Sequence, residues 1–171
     1  TEKMAAIETA RSGLTTTPET DTEGVIEPSM PIVDSHHHLW LLPNSRYLFD
    51  EYLADVSSGH SIVASVYMEG NAMYRQSGPP HLRPVGEAEF VAGMAAMSES
   101  GAFGTARLCA GFVGSADLTL GAGVDEVLDA LATASGGRLR GIRGAADWDE
   151  DPALNTGLRP YAPRHLLLDP R

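Results

Sequence analysis

A chain of 171 residues with 43% apolar content is long enough to bury one domain core. Twelve Lys and Arg stand against twenty-three Asp and Glu, a net charge of -11, which excludes a nucleic-acid binder that works by displacing counterions and argues against an anionic membrane surface as partner. No run reaches the ~18–20 apolar residues of a membrane span, and no signal-peptide core leads the chain, so a cytoplasmic location is the expectation.

Residues 1–30 (TEKMAAIETARSGLTTTPETDTEGVIEPSM) are rich in Thr, Glu and Pro and lack sustained periodicity. They read as a flexible acidic arm with a marginal helix over residues 5–11. PIVDSHHHLW (31–40) reads as a strand whose C-terminal end turns polar, and residues 46–57 as a short helix. SIVASVYMEG (61–70) is β-branched and bounded by Gly59 and Gly70, the pattern of a buried strand. Gly78, Pro79, Pro80 and Pro84 mark residues 71–85 as a long loop.

GEAEFVAGMAAMSESG (86–101) then places Phe90, Met94 and Met97 at i, i+4, i+7, with Glu87 and Glu89 near the start and Gly101 at the end, which predicts an amphipathic helix. ARLCAGFVG (106–114) reads as a third strand, and Cys109 within it as a small buried hydrophobe. As the single cysteine, Cys109 has no intrachain disulfide partner. GVDEVLDALATASGG (123–137) predicts a second helix with Val124, Val127, Leu128 and Leu131 on one face and Gly136–Gly137 as its stop. RLRGIRGAADW (138–148) reads as a fourth strand followed by loop, and residues 149–171 as loop-like until HLLLDP begins another apolar element.

Strands alternating with helices predict an α/β fold with a parallel sheet, whose reactive groups collect at the C-terminal ends of the strands. The polar residues fall there: the histidines after Val33, Glu69 after the second strand and Arg143 after the fourth. In an extended strand residues i and i+2 share a face, so His36 and His38 project together and His37 faces away. Two such imidazoles can share one divalent ion, and Asp34, on the same parity, stands as a further ligand or as the acceptor that fixes an imidazole tautomer. A polar strand end with solvated histidines remains open on this motif alone, whereas three histidines inside an apolar strand are not placed like a purification tag.

IVDSHHHLW resembles the first-strand D-x-H-x-H signature of the amidohydrolase superfamily, in its amidohydrolase-2 branch. Residues 66–97 (VYMEGNAMYRQSGPPHLRPVGEAEFVAGMAAM), GFVGSADLTLG, GGRLRGIR and DWD add to the resemblance, which spans roughly residues 31–150. It implies a (β/α)8 TIM-barrel fold, of which residues 31–171 would supply about the first four βα units, where a whole barrel takes about 250 residues. It implies His36 and His38 as metal ligands, with the family's later histidine and aspartate ligands lying in a second half not seen here. His60, His81 and His165 end no recognised strand and read as surface or loop residues, His81 being the best candidate among them.

The resemblance further implies a hydrolase acting on a lactone or other C–O or C–N bond of a small carboxylated substrate, or a metal-dependent decarboxylase of an aromatic acid. The cofactor expected is a divalent metal, zinc first and manganese second. A metal-free mechanism stays open, because some lactonases of this branch use the strand-one histidines on the substrate itself. Asp34, Glu69 and Arg143 are the candidate catalytic groups. Arg143, with Tyr74 and Arg75 in the covering loop, is a candidate for binding the substrate carboxylate. A half barrel exposes two sheet edges, so a homo-oligomer or a second chain completing the barrel is expected. An inactive half-barrel that only pairs with another chain is the non-enzymatic alternative.

Overall fold

The structure, a computed structural model, describes residues 24–154 and 162–168. The helix expected over residues 5–11 lies outside the described residues. Four parallel strands form the main sheet: β1 (Pro31–His37), β4 (Ser61–Met68), β5 (Arg107–Ser115) and β6 (Leu139–Arg143), in the order β1-β4-β5-β6. Each strand lies beside the next one along the chain, because each crossover returns the chain to the neighbouring position. The expected α/β class with a parallel sheet is therefore what the residues build.

Between β1 and β4 the chain forms a hairpin, β2 (Trp40–Leu42) and β3 (Ser45–Tyr47), and a helix, α1 (Phe49–Val56). The sequence reading had only the helix. Pro43 and Asn44 make the tight turn, residue types suited to it. Trp40 stacks on Tyr47 across the ladder at 4.7 Å and donates from Nε1 to Ser45 Oγ at 2.9 Å. Hairpin and α1 together carry Leu39, Phe49 and Tyr52 into the core.

The crossover from β4 to β5 contains α2 (Val85–Glu99), and that from β5 to β6 contains α3 (Val124–Ala134). The deepest stripe of α2 is Ala88, Val91, Ala95 and Ser98, while Phe90, Met94 and Met97 are half-buried and pack at its margins. Small side chains let the helix axis approach the sheet, so the larger apolar residues fill the flanks. In α3, Val127 and Leu131 are fully buried as the periodicity predicts, and Gly136 and Gly137 end the helix at φ +59 and +80. These residues close on Tyr67, Leu108 and Phe112 of the sheet in one cluster, and each large side chain buried there contributes roughly 1.5–3 kcal/mol.

Every pairing of the main sheet carries at least one register shift, and two of these shifts bear on the site. Asp34 pairs Ser65 and His37 pairs Tyr67, so β1 carries one more residue than β4 over that span. Arg107 pairs Ala64 and Gly111 pairs Val66, so β5 carries two extra residues, with Cys109 among them at φ +55. The Cys109 amide donates to Ser65 Oγ at 2.9 Å, which replaces the ladder bond lost there. β1 and β6 are the sheet's edges, and Val33 on β1 stays 55% exposed. Among the described residues no helix is long and apolar enough to cross a membrane.

Candidate functional site

The extra residue in β1 decides where the histidines point. Beyond the bulge His37 turns inward and is buried, stacking on Tyr52 with ring centroids 4.0 Å apart. His36 stays exposed and His38 half-buried, and their Nε2 atoms face each other at 3.1 Å. The H-x-H pair is thus brought together as the strand alternation predicts. Asp34 is not with it. Its Oδ2 accepts from the Tyr52 hydroxyl at 2.7 Å and lies 4.0 Å from His37 Nδ1, while Oδ1 accepts from the His36 amide at 3.1 Å. The parity that joined Asp34 to His36 and His38 assumed an unbroken strand, and the bulge between Asp34 and His37 breaks it.

His38 Nδ1 lies 2.9 Å from the Met68 carbonyl. Only an N–H can bond a carbonyl, so the proton sits on Nδ1 and the Nε2 lone pair faces His36. Burial holds the His38 pKa below its ordinary value, which keeps the imidazole neutral. Two neutral imidazoles around a tetrahedral Zn²⁺, with Zn–N bonds of ~2.0–2.1 Å, would place their nitrogens about 3.3 Å apart. The 3.1 Å separation is that of a hydrogen bond between the two rings and lies about 0.2 Å inside that chelate spacing, and the Met68 carbonyl supplies the outer hydrogen bond that ligating histidines usually have. The donor set stops at two, however: among the described residues no group of three or more His, Cys, Asp or Glu is arranged to hold a metal ion.

Glu69 and Arg143 meet at the ends of β4 and β6. Arg143 Nε donates to Glu69 Oε1 at 2.7 Å and Nη2 to the Glu69 carbonyl at 2.7 Å. Glu69 is 3% exposed and the Arg143 side chain 33%. The two charges read from sequence as separate groups form one ion pair, and both act electrostatically on His38.

No family model matches the chain, and neither the curated proteins nor the solved structures compared with it give a match.

The loop after β4 divides the remaining candidates. Tyr74 donates to Asn71 Oδ1 at 3.2 Å, and burial pushes its phenol up to about 12, so it remains a hydrogen-bond donor. It lines a cavity of about 770 Å³ with Asn71 from the loop after β4 and with Ser115 and Gly144 at the ends of β5 and β6, a cavity whose lining does not include His36, His38, Glu69 or Arg143. Arg75 goes elsewhere. Its guanidinium forks onto the Glu89 carboxylate on the outer side of α2, where both are exposed. The structure thus pairs it with Glu89 of the adjoining helix and does not bring it to Arg143 or the histidine pair. His81 also lines the cavity and sits 3.2 Å from Glu126 Oε2. His60 lies beside residues 24–27, at the opposite end of β4 from Met68.

Sequence reasoning missed Glu87, His37 and Tyr67. Glu87 is fully buried, accepting at Oε1 from Tyr67 O–H at 2.9 Å, Gly70 N–H at 2.8 Å and Ala72 N–H at 3.1 Å. The sequence shows only a glutamate in a helix's first turn, where acids are ordinary. His37, which the strand alternation turns away from the pair, fills the space between Tyr52, Tyr67 and Cys109 Sγ. Burial lowers its pKa to about 4 and raises that of Cys109 to about 12, so both are neutral packing groups, as the sequence expects of the cysteine.

Proposed function

We propose that this chain contributes about the first four βα units of a (β/α)8 barrel hydrolase of the amidohydrolase-2 type. It would act on a lactone, or another C–O or C–N bond, of a small carboxylated substrate. The observation that carries the reading is the facing pair His36 Nε2 and His38 Nε2, 3.1 Å apart at the C-terminal end of β1, with the His38 tautomer set by Met68 O. The strand order β1-β4-β5-β6 supports the barrel, since consecutive neighbours without reversal are the barrel sequence, whereas doubly wound sheets reverse.

In this reading His36 and His38 hold a divalent ion, zinc first, or grip the substrate carbonyl directly. The chemistry such an ion supplies when bound is Lewis-acid polarisation of the scissile carbonyl. The rest falls to the chain's own groups. Arg143, still one-third exposed, turns part of its fork from Glu69 to a substrate carboxylate. Glu69 Oε1 then takes the proton of the water that attacks the carbonyl and returns it to the leaving oxygen or nitrogen, while the Tyr74 phenol turns its one proton from Asn71 Oδ1 to the substrate.

A second reading, a non-catalytic half-barrel that pairs with another chain, is favoured by the two-member donor set and by the sheet edges at β1 and β6. Purified protein loaded with zinc separates the two when assayed on carboxylated lactones and aromatic acids beside the H36A/H38A variant. Turnover that the double variant abolishes supports the enzyme. No turnover, together with stoichiometric assembly onto a second polypeptide, supports the pairing module.

A further inference from the structure

Glu87 belongs to no role so far assigned, and its surroundings are unusual for a structural carboxylate. It sits in the first turn of α2 at 0% exposure, and burial pushes its pKa up. All three hydrogen-bond donors converge on Oε1, and among the described residues Oε2 is buried without a hydrogen-bond partner. Burying a carboxyl with one oxygen unmatched costs stability. A fold retains such a group where its hydrogen bonds do something that an apolar side chain cannot.

The three donors bracket the anchor of His38. Met68, whose carbonyl holds His38 Nδ1, lies between Tyr67 and Gly70, and both are tied to the same Glu87 oxygen. The Tyr67 hydroxyl also sits 3.4 Å from the carbonyl of Leu39, the residue after His38. Gly70 packs against the imidazole, since a Cβ there would lie 3.4 Å from His38 Nδ1 and 3.8 Å from Glu87 Oε1. The helix is pressed onto this loop, for a Cβ at Gly86 would come 2.5 Å from Met73 O and 2.7 Å from Arg75 N. One carboxylate oxygen on α2 therefore fixes the chain on both sides of the carbonyl that orients His38.

We infer that Glu87 is a positioning residue for the histidine pair, holding Met68 O so that His38 keeps its proton on Nδ1 and its Nε2 lone pair toward His36. The inference rests on the reading of that pair as the functional site, and it concerns a residue that touches neither metal nor substrate.

The test compares wild type, E87Q, which keeps the Oε1 acceptor, and E87A, which removes it. Imidazole ¹⁵N spectra of the metal-free protein report the His38 tautomer, and amide exchange reports Gly70 and Ala72. Wild type and E87Q should show Nδ1-protonated His38 and protected amides. E87A should show mixed tautomers, fast exchange at both amides and a zinc affinity about 10–100-fold weaker. A folded E87A with an unchanged His38 tautomer and unchanged amide exchange overturns the inference, as does E87Q failing as completely as E87A. Should E87A not fold, Y67F takes its place: it deletes one of the three donors and should shift the His38 tautomer in the same direction, and an unchanged tautomer counts against the inference. If wild type takes up no zinc, the metal reading fails alone, because tautomer and exchange still decide the role of Glu87.

Discussion

The Arg143 guanidinium grips Glu69 twice, through the carboxylate at 2.7 Å and through the backbone carbonyl at 2.7 Å. This ties the end of β6 to the end of β4 across β5, so the pair braces the rim where the candidate site lies. Replacing Arg143 with Ala should destabilise the fold by roughly 2–4 kcal/mol, at the lower side of a buried pair's cost because the guanidinium is one-third exposed. R143K should recover only part of this, since an ammonium cannot reproduce the fork. Urea unfolding measures both, and an R143A midpoint equal to wild type would refute the brace.

Gly86 is required for a steric reason. Its position admits no Cβ without meeting Met73 O at 2.5 Å and Arg75 N at 2.7 Å, both backbone atoms. G86A should therefore cost about 1–3 kcal/mol, although alanine is the better helix former by about 1 kcal/mol. A thermal midpoint at or above wild type would show that the loop yields freely.

Stability should fall on acidification through His37. Its folded pKa is depressed to about 4 by burial from an ordinary 6.5. Below pH 6.5 the unfolded chain takes up a proton that the folded chain refuses, so stabilisation is complete above 6.5 and is lost progressively down to about 4. At about 1.4 kcal/mol per pH unit, the loss approaches roughly 3 kcal/mol. H37F keeps the stack on Tyr52 and should flatten this part of the pH profile. Urea midpoints between pH 7 and 4.5, taken in a chelator, measure it, and equal slopes for wild type and H37F would contradict it.

The sequence shows the sheet plainly and the site only in part, for physical reasons visible in particular residues. The βα alternation, the face of α3 and its Gly136–Gly137 stop follow local rules, and the structure obeys them. The H-x-H pair obeys them too, but the single extra residue in β1 moves Asp34 to Tyr52, and no residue type announces a bulge. The small-residue stripe of α2 was hidden because hydrophobicity favours Phe90 and the methionines, whereas close packing favours Ala88 and Ala95. Arg75 and Arg143 look alike in sequence, and what separates them is the acid the fold puts beside each: exposed Glu89 or buried Glu69.

The tautomer of His38 also sets a limit on how its partner can act. With one Nε2–H and one Nε2 lone pair the two rings hydrogen-bond each other, and to chelate an ion His36 must carry its proton on Nδ1. Zinc binding should therefore change the His36 ring ¹⁵N shifts strongly while His38 keeps its Nδ1 proton. If His38 lost its Nδ1 proton instead, the Met68 anchor would be wrongly assigned.

The central claim is that His36 and His38 form a ligand pair, and zinc binding tests it most directly. Competition against a chromophoric chelator should show about one Zn²⁺ per site in wild type, with affinity at least about tenfold weaker in H38A and stoichiometric binding abolished in H36A/H38A. Zinc binding of equal strength in the double variant, or none in folded wild type, would contradict it.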